Sequence, residues 1–170
     1  RPEVCYLAGF GGSTVESTAE DGRLSVVWSP ERVVKGVAYD TPISGYRVAG
    51  TTPLRLWKSE AVESFDFEAF NLGEYALAVE EKVKSETISK VLYPNDNQNA
   101  GKRLRLAQQY FFVSCSLQDM IHLHLAKGEP IGSFADRFAI QLNDTHPSIA
   151  VAELMRLLVD VHGVSWDEAW

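Results

Sequence analysis

Phe138-Ala139-Ile140-Gln141-Leu142-Asn143-Asp144-Thr145-His146-Pro147 passes from an apolar run through a polar turn to a proline. Residues 138–142 have the length and composition of a short buried strand, and 143–146 are turn-forming. Pro147 suits the first position of a helix, where its missing N–H costs nothing, and Ala150, Leu154, Leu157, Leu158 and Val161 supply the apolar face that follows. Strand, turn and helix in this order predict an α/β fold. Ligands of open α/β sheets sit beyond the carboxyl ends of strands, beside helix N-termini, so Asp144 and His146 are candidate site residues. A blander alternative stays open: Asp144 and Thr145 cap the helix and His146 is a turn residue.

Upstream, residues 1–60 read as mainly β. Apolar runs at 4–10, 24–28, 33–39 and 54–57 are separated by Gly11-Gly12, Asp21-Gly22, Ser29-Pro30 and Ser44-Gly45, which predicts an antiparallel meander. Thr41-Pro42 and Thr52-Pro53 favour extended geometry before each proline and a loop between them. Residues 61–170 read as mainly helical, with the one buried strand near 138–142. Residues 74–92 carry a narrow apolar stripe among Glu and Lys and predict one long charged helix. A second helix over 102–125 is apolar nearly all round, as a core helix would be.

The chain of 170 residues is 45% hydrophobic, enough for a core, which excludes general disorder. Its net charge of -7 arises from 23 acidic against 16 scattered basic residues, so a nucleic-acid surface is disfavoured. Cys5 and Cys115 form no CxxC pair, and no metal site is expected; His122 and His124 lie on different faces of their helix. No apolar run approaches the roughly 20 residues of a membrane span, and a cytoplasmic protein is expected. Arg1 and the helix start at Ser165-Trp166-Asp167-Glu168 lead us to expect a piece of a longer protein.

The loop from Tyr93 to Gly101 is the second candidate. Asn95, Asp96, Asn97 and Asn99 offer hydrogen bonds suited to sugar hydroxyls on a segment with few apolar anchors, hence mobile; the alternative is a solvated connection. Arg105 either faces this loop or pairs with an acidic neighbour. Asp40, in Tyr39-Asp40-Thr41-Pro42, is assigned a structural role, and Glu80-Glu81-Lys82 a solvated face. Asp96 with Asp144 is the alternative of a glycosidase carboxylate pair.

Ala38-Tyr39-Asp40-Thr41-Pro42, Leu54-Arg55-Leu56-Trp57, Val91-Leu92-Tyr93-Pro94-Asn95-Asp96-Asn97, Leu104-Arg105-Leu106, Ser116-Leu117-Gln118-Asp119 and Ala139 through Ser148 with Glu153-Leu154-Met155-Arg156 resemble, in order, the glycogen, starch and maltodextrin phosphorylases. The resemblance covers essentially the whole chain. It implies the middle of the N-terminal domain of an enzyme built from two facing Rossmann-like domains, with antiparallel strands first and long helices after. It implies orthophosphate-dependent cleavage of terminal α-1,4-linked glucose to glucose 1-phosphate, aided by pyridoxal phosphate in the full-length enzyme. By the same resemblance Asp96 and Asn97 belong to a gate loop, and Asn95, Arg105, Asp144 and His146 line the glucose pocket. Residues 74–92 match the helix of the family dimer.

The resemblance also sets limits. Gln98 stands where animal enzymes have an aromatic residue, and His122-Leu123 where nucleotide-regulated ones have paired arginines, so a weakly regulated parent is expected. The cofactor lysine lies outside this stretch, so the fragment alone is expected to bind no pyridoxal phosphate and to be inactive. A non-catalytic glucan-binding or assembly module is the alternative.

Overall fold

The computed structural model describes residues 4–18, 22 and 24–170. Five strands come first: β1 (Cys5–Phe10), β2 (Ser13–Thr18), β3 (Leu24–Ser29), β4 (Arg32–Ser44) and β5 (Thr51–Ala61). Helices follow: α1 (Phe67–Asn71), α2 (Tyr75–Ala78), α3 (Glu80–Lys90), α4 (Asn99–Ala126), α5 (Phe134–Arg137), α6 (Ala150–Arg156) and α7 (Trp166–Ala169). The expected order, antiparallel strands and then helices, is therefore what the chain adopts. Two compact units result, one of residues up to Ala8 with Val33–Gln108, the other of Gly9–Arg32 with Gln109–Trp170.

In the first unit β1, β4 and β5 form a sheet in that order, with β4 and β5 antiparallel from Val34 opposite Ala61 to Ser44 opposite Thr51. The meander expectation needs correcting, because β2 and β3 leave this sheet and pair as a separate hairpin. The loop expected between the two prolines also shrinks: Pro42 and Pro53 lie inside the strands, directly opposite each other. Two prolines can face across an antiparallel pair only at a position where neither N–H is asked to bond, and they do so here.

The base of this hairpin is buried, with Val34, Val37, Ala38, Trp57 and Ala61 in the core, while its far end is exposed. Tyr6 meets the Trp57 ring edge-on at 5.6 Å. α3 packs on β5 through two serines. The Ser59 amide donates to Ser89 Oγ at 2.8 Å, and the Ser89 amide donates to Ser59 Oγ at 3.0 Å, a reciprocal bond that leaves buried Ser59 satisfied.

The single helix expected over 74–92 is two. Val79, at φ -115° and ψ 0°, breaks it between α2 and α3, and Val91 is already extended. Ser85 and Ile88 are the buried residues of α3, whereas Val83, Val91 and Leu92 are exposed, so the apolar stripe finds too little cover to hold one straight helix together.

In the second unit, Leu117 and Ile121 of α4 pack with Phe134, Ala150, Leu157, Leu158 and Val164. α4 starts three residues earlier than expected, and its all-round apolar surface is not all buried: Leu106, Leu123 and Leu125 face outward. α6 runs on into a wider π turn, Leu157–Val161, where the His162 amide donates to Leu157 O. Ser165 caps α7 as expected, accepting from the Glu168 amide at 3.3 Å.

β2 was hidden by its Ser, Thr and Glu content, and all six of its residues are exposed. A lone hairpin is marginal. This one is held at Trp28, whose Nε1 donates to Gly11 O at 2.8 Å and whose ring carries the Arg156 guanidinium 5.1 Å from its centre. Gly12, at φ +85°, forms the tight turn into β2, where any Cβ would lie 2.0 Å from Ser29 O.

Residues 138–142 are not a strand. Phe138 has extended angles, φ -122° and ψ 131°, and stacks on Phe134 at 4.9 Å between centroids, yet the segment joins no ladder among the described residues. Ala139, Ile140 and Gln141 are exposed rather than buried. A strand exists only through a neighbour that takes up its backbone N–H and C=O groups.

Candidate functional site

The turn that follows is tightly folded. Asp144 has φ +64°, a left-handed conformation uncommon for a residue with a Cβ, and its Oδ1 accepts the Thr145 amide at 2.6 Å. His146 Nε2 lies 3.6 Å from Asp144 Oδ2. The Ser148 amide donates to Thr145 O at 3.1 Å and the Ala150 amide to Pro147 O at 2.9 Å, so the turn is bonded step by step into α6.

The helix starts at Ala150, three residues after Pro147. Ile149 occupies the cap position with no side-chain bond, which removes the alternative in which Asp144 and Thr145 cap the helix. What stands there is a carboxylate beside an imidazole, mostly exposed on the acid side: the carboxylate can orient the ring and accept from hydroxyls, and the ring can bond hydroxyl or phosphate oxygens.

The second candidate group lies in the first unit. Tyr93, at φ +56°, turns the chain into the loop, and Asn95 Oδ1 accepts the Asn97 amide at 2.9 Å. Arg105 Nη1 bonds Asp96 Oδ2 at 2.9 Å, and its guanidinium sits 5.8 Å from the Tyr93 ring centre. Of the two readings of Arg105, facing the loop or pairing with an acid, the structure realises both at once.

Gln108 of α4 holds the loop's entrance. Its Nε2 donates to Ile88 O at 2.8 Å and to Val91 O at 2.9 Å, while its Oε1 accepts the Tyr93 amide at 3.3 Å. Gly101 allows the closest approach: a Cβ there would fall 1.8 Å from Asn95 O. The loop has few apolar anchors, as expected, but is fastened by polar ones.

Asn95, Asp96, Asn97 and Arg105 are thus brought together in one unit, and Asp144 with His146 in the other. Asp40 is structural: Arg55, opposite it in the register, bonds both its oxygens at 2.8 and 2.7 Å and holds its carboxyl below the ordinary range. His124 is buried, its Nε2 2.8 Å from Pro130 O. Among the described residues no group of three His, Cys, Asp or Glu side chains is placed to hold a metal ion, and no helix is long and apolar enough to cross a membrane.

One cluster escaped the sequence reading. Glu153 of α6 is 4% exposed, accepts from Ser114 Oγ at 2.6 Å, and takes Arg156 Nε at 2.7 Å and Nη2 at 2.9 Å. Ser114 in turn accepts from Gln118 Nε2 at 3.0 Å. Burial, and after it the Glu153 carboxylate, push the neighbouring Tyr110 hydroxyl up in pKa. A signal existed: Ala150, Glu153, Leu154 and Leu157 have the spacing of one helix face, which places a carboxylate on the core stripe.

A sequence family described as "Phosphorylase: Carbohydrate phosphorylase" matches residues 1–170. The chain belongs to the carbohydrate phosphorylase family. This phosphorylase chain is 59% identical over its full length to the glycogen phosphorylase of Synechocystis sp., of which it covers 20%. It is 46% identical to glycogen phosphorylase 2 of Dictyostelium discoideum, covering 17% of that protein, and 43% identical to the human muscle form, covering 20%. It therefore spans about a fifth of the length of the curated relatives it matches.

The lysines of this phosphorylase chain do not fit a pyridoxal aldehyde. A Schiff base needs an amine with its pKa lowered by burial or by neighbouring cations. Here every lysine is exposed or half-buried, Lys35 and Lys84 pair with Glu60 and Glu80, and Glu60 raises the pKa of Lys58.

Proposed function

We propose that the parent of this chain cleaves terminal α-1,4-glucosidic bonds of a glucan with orthophosphate, releasing glucose 1-phosphate. The observation that carries this reading is the family match over residues 1–170, together with relatives of 43–59% identity that bear the name glycogen phosphorylase. Pyridoxal phosphate would be held by a lysine elsewhere in the parent and would supply a phosphate group for proton exchange. Within this chain no step passes through it.

The residues present have positioning and electrostatic work to do. Asp144 would accept from glucose hydroxyls and orient His146, whose ring would bond the glucose or the attacking phosphate, the strained turn presenting both side chains without rearrangement at the moment of reaction. Asn95, Asp96, Asn97 and Arg105 would contact the glucan as a gate. Arg105 orients Asp96 through their 2.9 Å ion pair, and Gly101 and Gln108 set where the loop stands. The parent would be a cytoplasmic homodimer paired through residues 74–92, where Tyr75, Leu77, Val79 and Val83 leave apolar surface exposed. The chain by itself would be inactive.

The test is orthophosphate dependence in the purified full-length protein. Glucose 1-phosphate should appear from maltodextrin only with orthophosphate; cleavage that proceeds without it, giving free sugar, would establish a glycoside hydrolase instead. Retention of maltodextrin affinity by a full-length protein devoid of phosphorolysis would favour the binding-module reading.

A further inference from the structure

Glu153 is an odd choice for the inside of α6. A buried carboxylate needs a partner and bonds for its lone pairs, and an apolar side chain of similar size usually serves stability as well or better. Here the carboxylate is fully occupied, by Ser114 of α4 on one side and by Arg156 of its own helix on the other. The Arg156 guanidinium also lies over Trp28 of β3, so the Glu153–Arg156 pair ties α6 to two neighbouring elements, Glu153 to α4 and Arg156 to β3. Apolar contacts at Ala150, Leu157 and Leu158 alone would tolerate small slides of a seven-residue helix. The short, directional Ser114–Glu153 bond, with Arg156 held over Trp28, fixes its depth and rotation.

That fixation reaches the Asp144–His146 turn. Backbone bonds run without a gap from Thr145 O to the Ser148 amide, from Pro147 O to Ala150, from Ser148 O to Val151, and from Ile149 O to Glu153 itself. The turn has no capping side chain of its own at Ile149 to set where it stands.

We infer that Glu153 is a positioning residue for the proposed site: its bond to Ser114, and the Arg156 side chain that it orients over Trp28, hold α6 so that the turn presents Asp144 and His146 in working geometry. The inference rests on the reading of that turn as part of the site. A displacement of about 1 Å at reacting groups can cost on the order of a hundredfold in rate, so a loosened α6 has a measurable effect.

The test uses the full-length enzyme, with turnover expressed per bound pyridoxal phosphate at a temperature well below unfolding. Glu153→Ala should lower kcat about tenfold or more, with KM for maltodextrin within about twofold and cofactor content unchanged. Glu153→Gln, which keeps an oxygen for Ser114, should recover most of the rate. In an Asp144→Ala background Glu153→Ala should bring no further fall in kcat, while its loss of melting temperature persists. A purely structural Glu153 would lower the melting temperature and leave kcat per cofactor untouched, or add its effect fully to that of Asp144→Ala; either result overturns the inference. Should Glu153→Ala not fold, Ser114→Ala, which spares the Arg156 pair, takes its place with the same expected loss. Asp144→Ala without effect on kcat would remove the site reading and this inference with it. A loss with Asp144→Ala but none with Glu153→Ala would remove the inference alone.

Discussion

Replacing Gln108 should unfasten the loop after Tyr93 from the helix before it, and the cost follows from which of its three partners water can reach. Ile88 is 2% exposed, so its carbonyl would lose its Nε2 donor with no water to replace it. Val91 and Tyr93 are exposed, so their groups would recover solvent and lose only the small net value of a hydrogen bond. A buried acceptor left unsatisfied costs about 1–3 kcal/mol and each exchangeable bond about 0.5–1.5, so Gln108→Ala should destabilise by roughly 2–6 kcal/mol. Gln108→Glu should behave differently. A carboxylate would face two carbonyls, so the folded state favours its protonated form and raises its pKa above the unfolded value. The variant should then be closest to wild type at acid pH and lose stability as pH rises through the raised pKa. Urea unfolding of the chain at pH 5 and pH 8 measures both effects. A Gln108→Ala variant within about 0.5 kcal/mol of wild type would refute the reasoning, as would a Gln108→Glu variant indifferent to pH.

Gly101→Ala should force the loop away from α4 by more than about 1 Å, since its Cβ would stand 1.8 Å from Asn95 O; in the full-length enzyme this should cut kcat/KM for maltodextrin by about tenfold or more. Cys115, buried and with its thiol pushed up to about 12, should resist a thiol reagent at pH 8 until the chain is unfolded, while exposed Cys5 reacts at once. Partial desolvation, opposed by Arg156, raises the pKa of the surface residue Asp160 above the ordinary carboxylate value, so its ionisation disfavours folding. Asp160→Asn should raise the melting temperature at pH 7, and the gain should vanish below the ordinary carboxylate range, as thermal scans across pH would reveal.

What could be seen in the sequence divides along physical lines. Elements set by local chemistry were legible: the Ser165 cap, the α4 core helix, and the apolar runs of β1, β3, β4 and β5 all announce themselves through composition or period. Elements that depend on a partner were not. β2 has no apolar face and exists because β3 pairs with it. The facing prolines of β4 and β5 look like breakers until their register is known. Residues 138–142 look like a strand but have no neighbour in the described residues to make them one.

The candidate site shows the same division. Asp144, His146 and the Asn95–Asn97 loop could be picked out as residue types in turns, whereas their fastening by Gln108, Gly101 and Glu153 depends on contacts 6 to 39 residues apart in sequence. Asp144 as a helix cap was a reasonable expectation from composition. It fails because the helix begins beyond Ile149.

The central claim is that the turn at Asp144 belongs to the chemistry of the parent enzyme. The most direct measurement is phosphorolysis of maltodextrin by full-length Asp144→Ala, with turnover divided by bound pyridoxal phosphate. A large fall in turnover at unchanged cofactor content is the predicted result. Turnover equal to that of the wild type, or a loss that merely tracks lost cofactor, would contradict it.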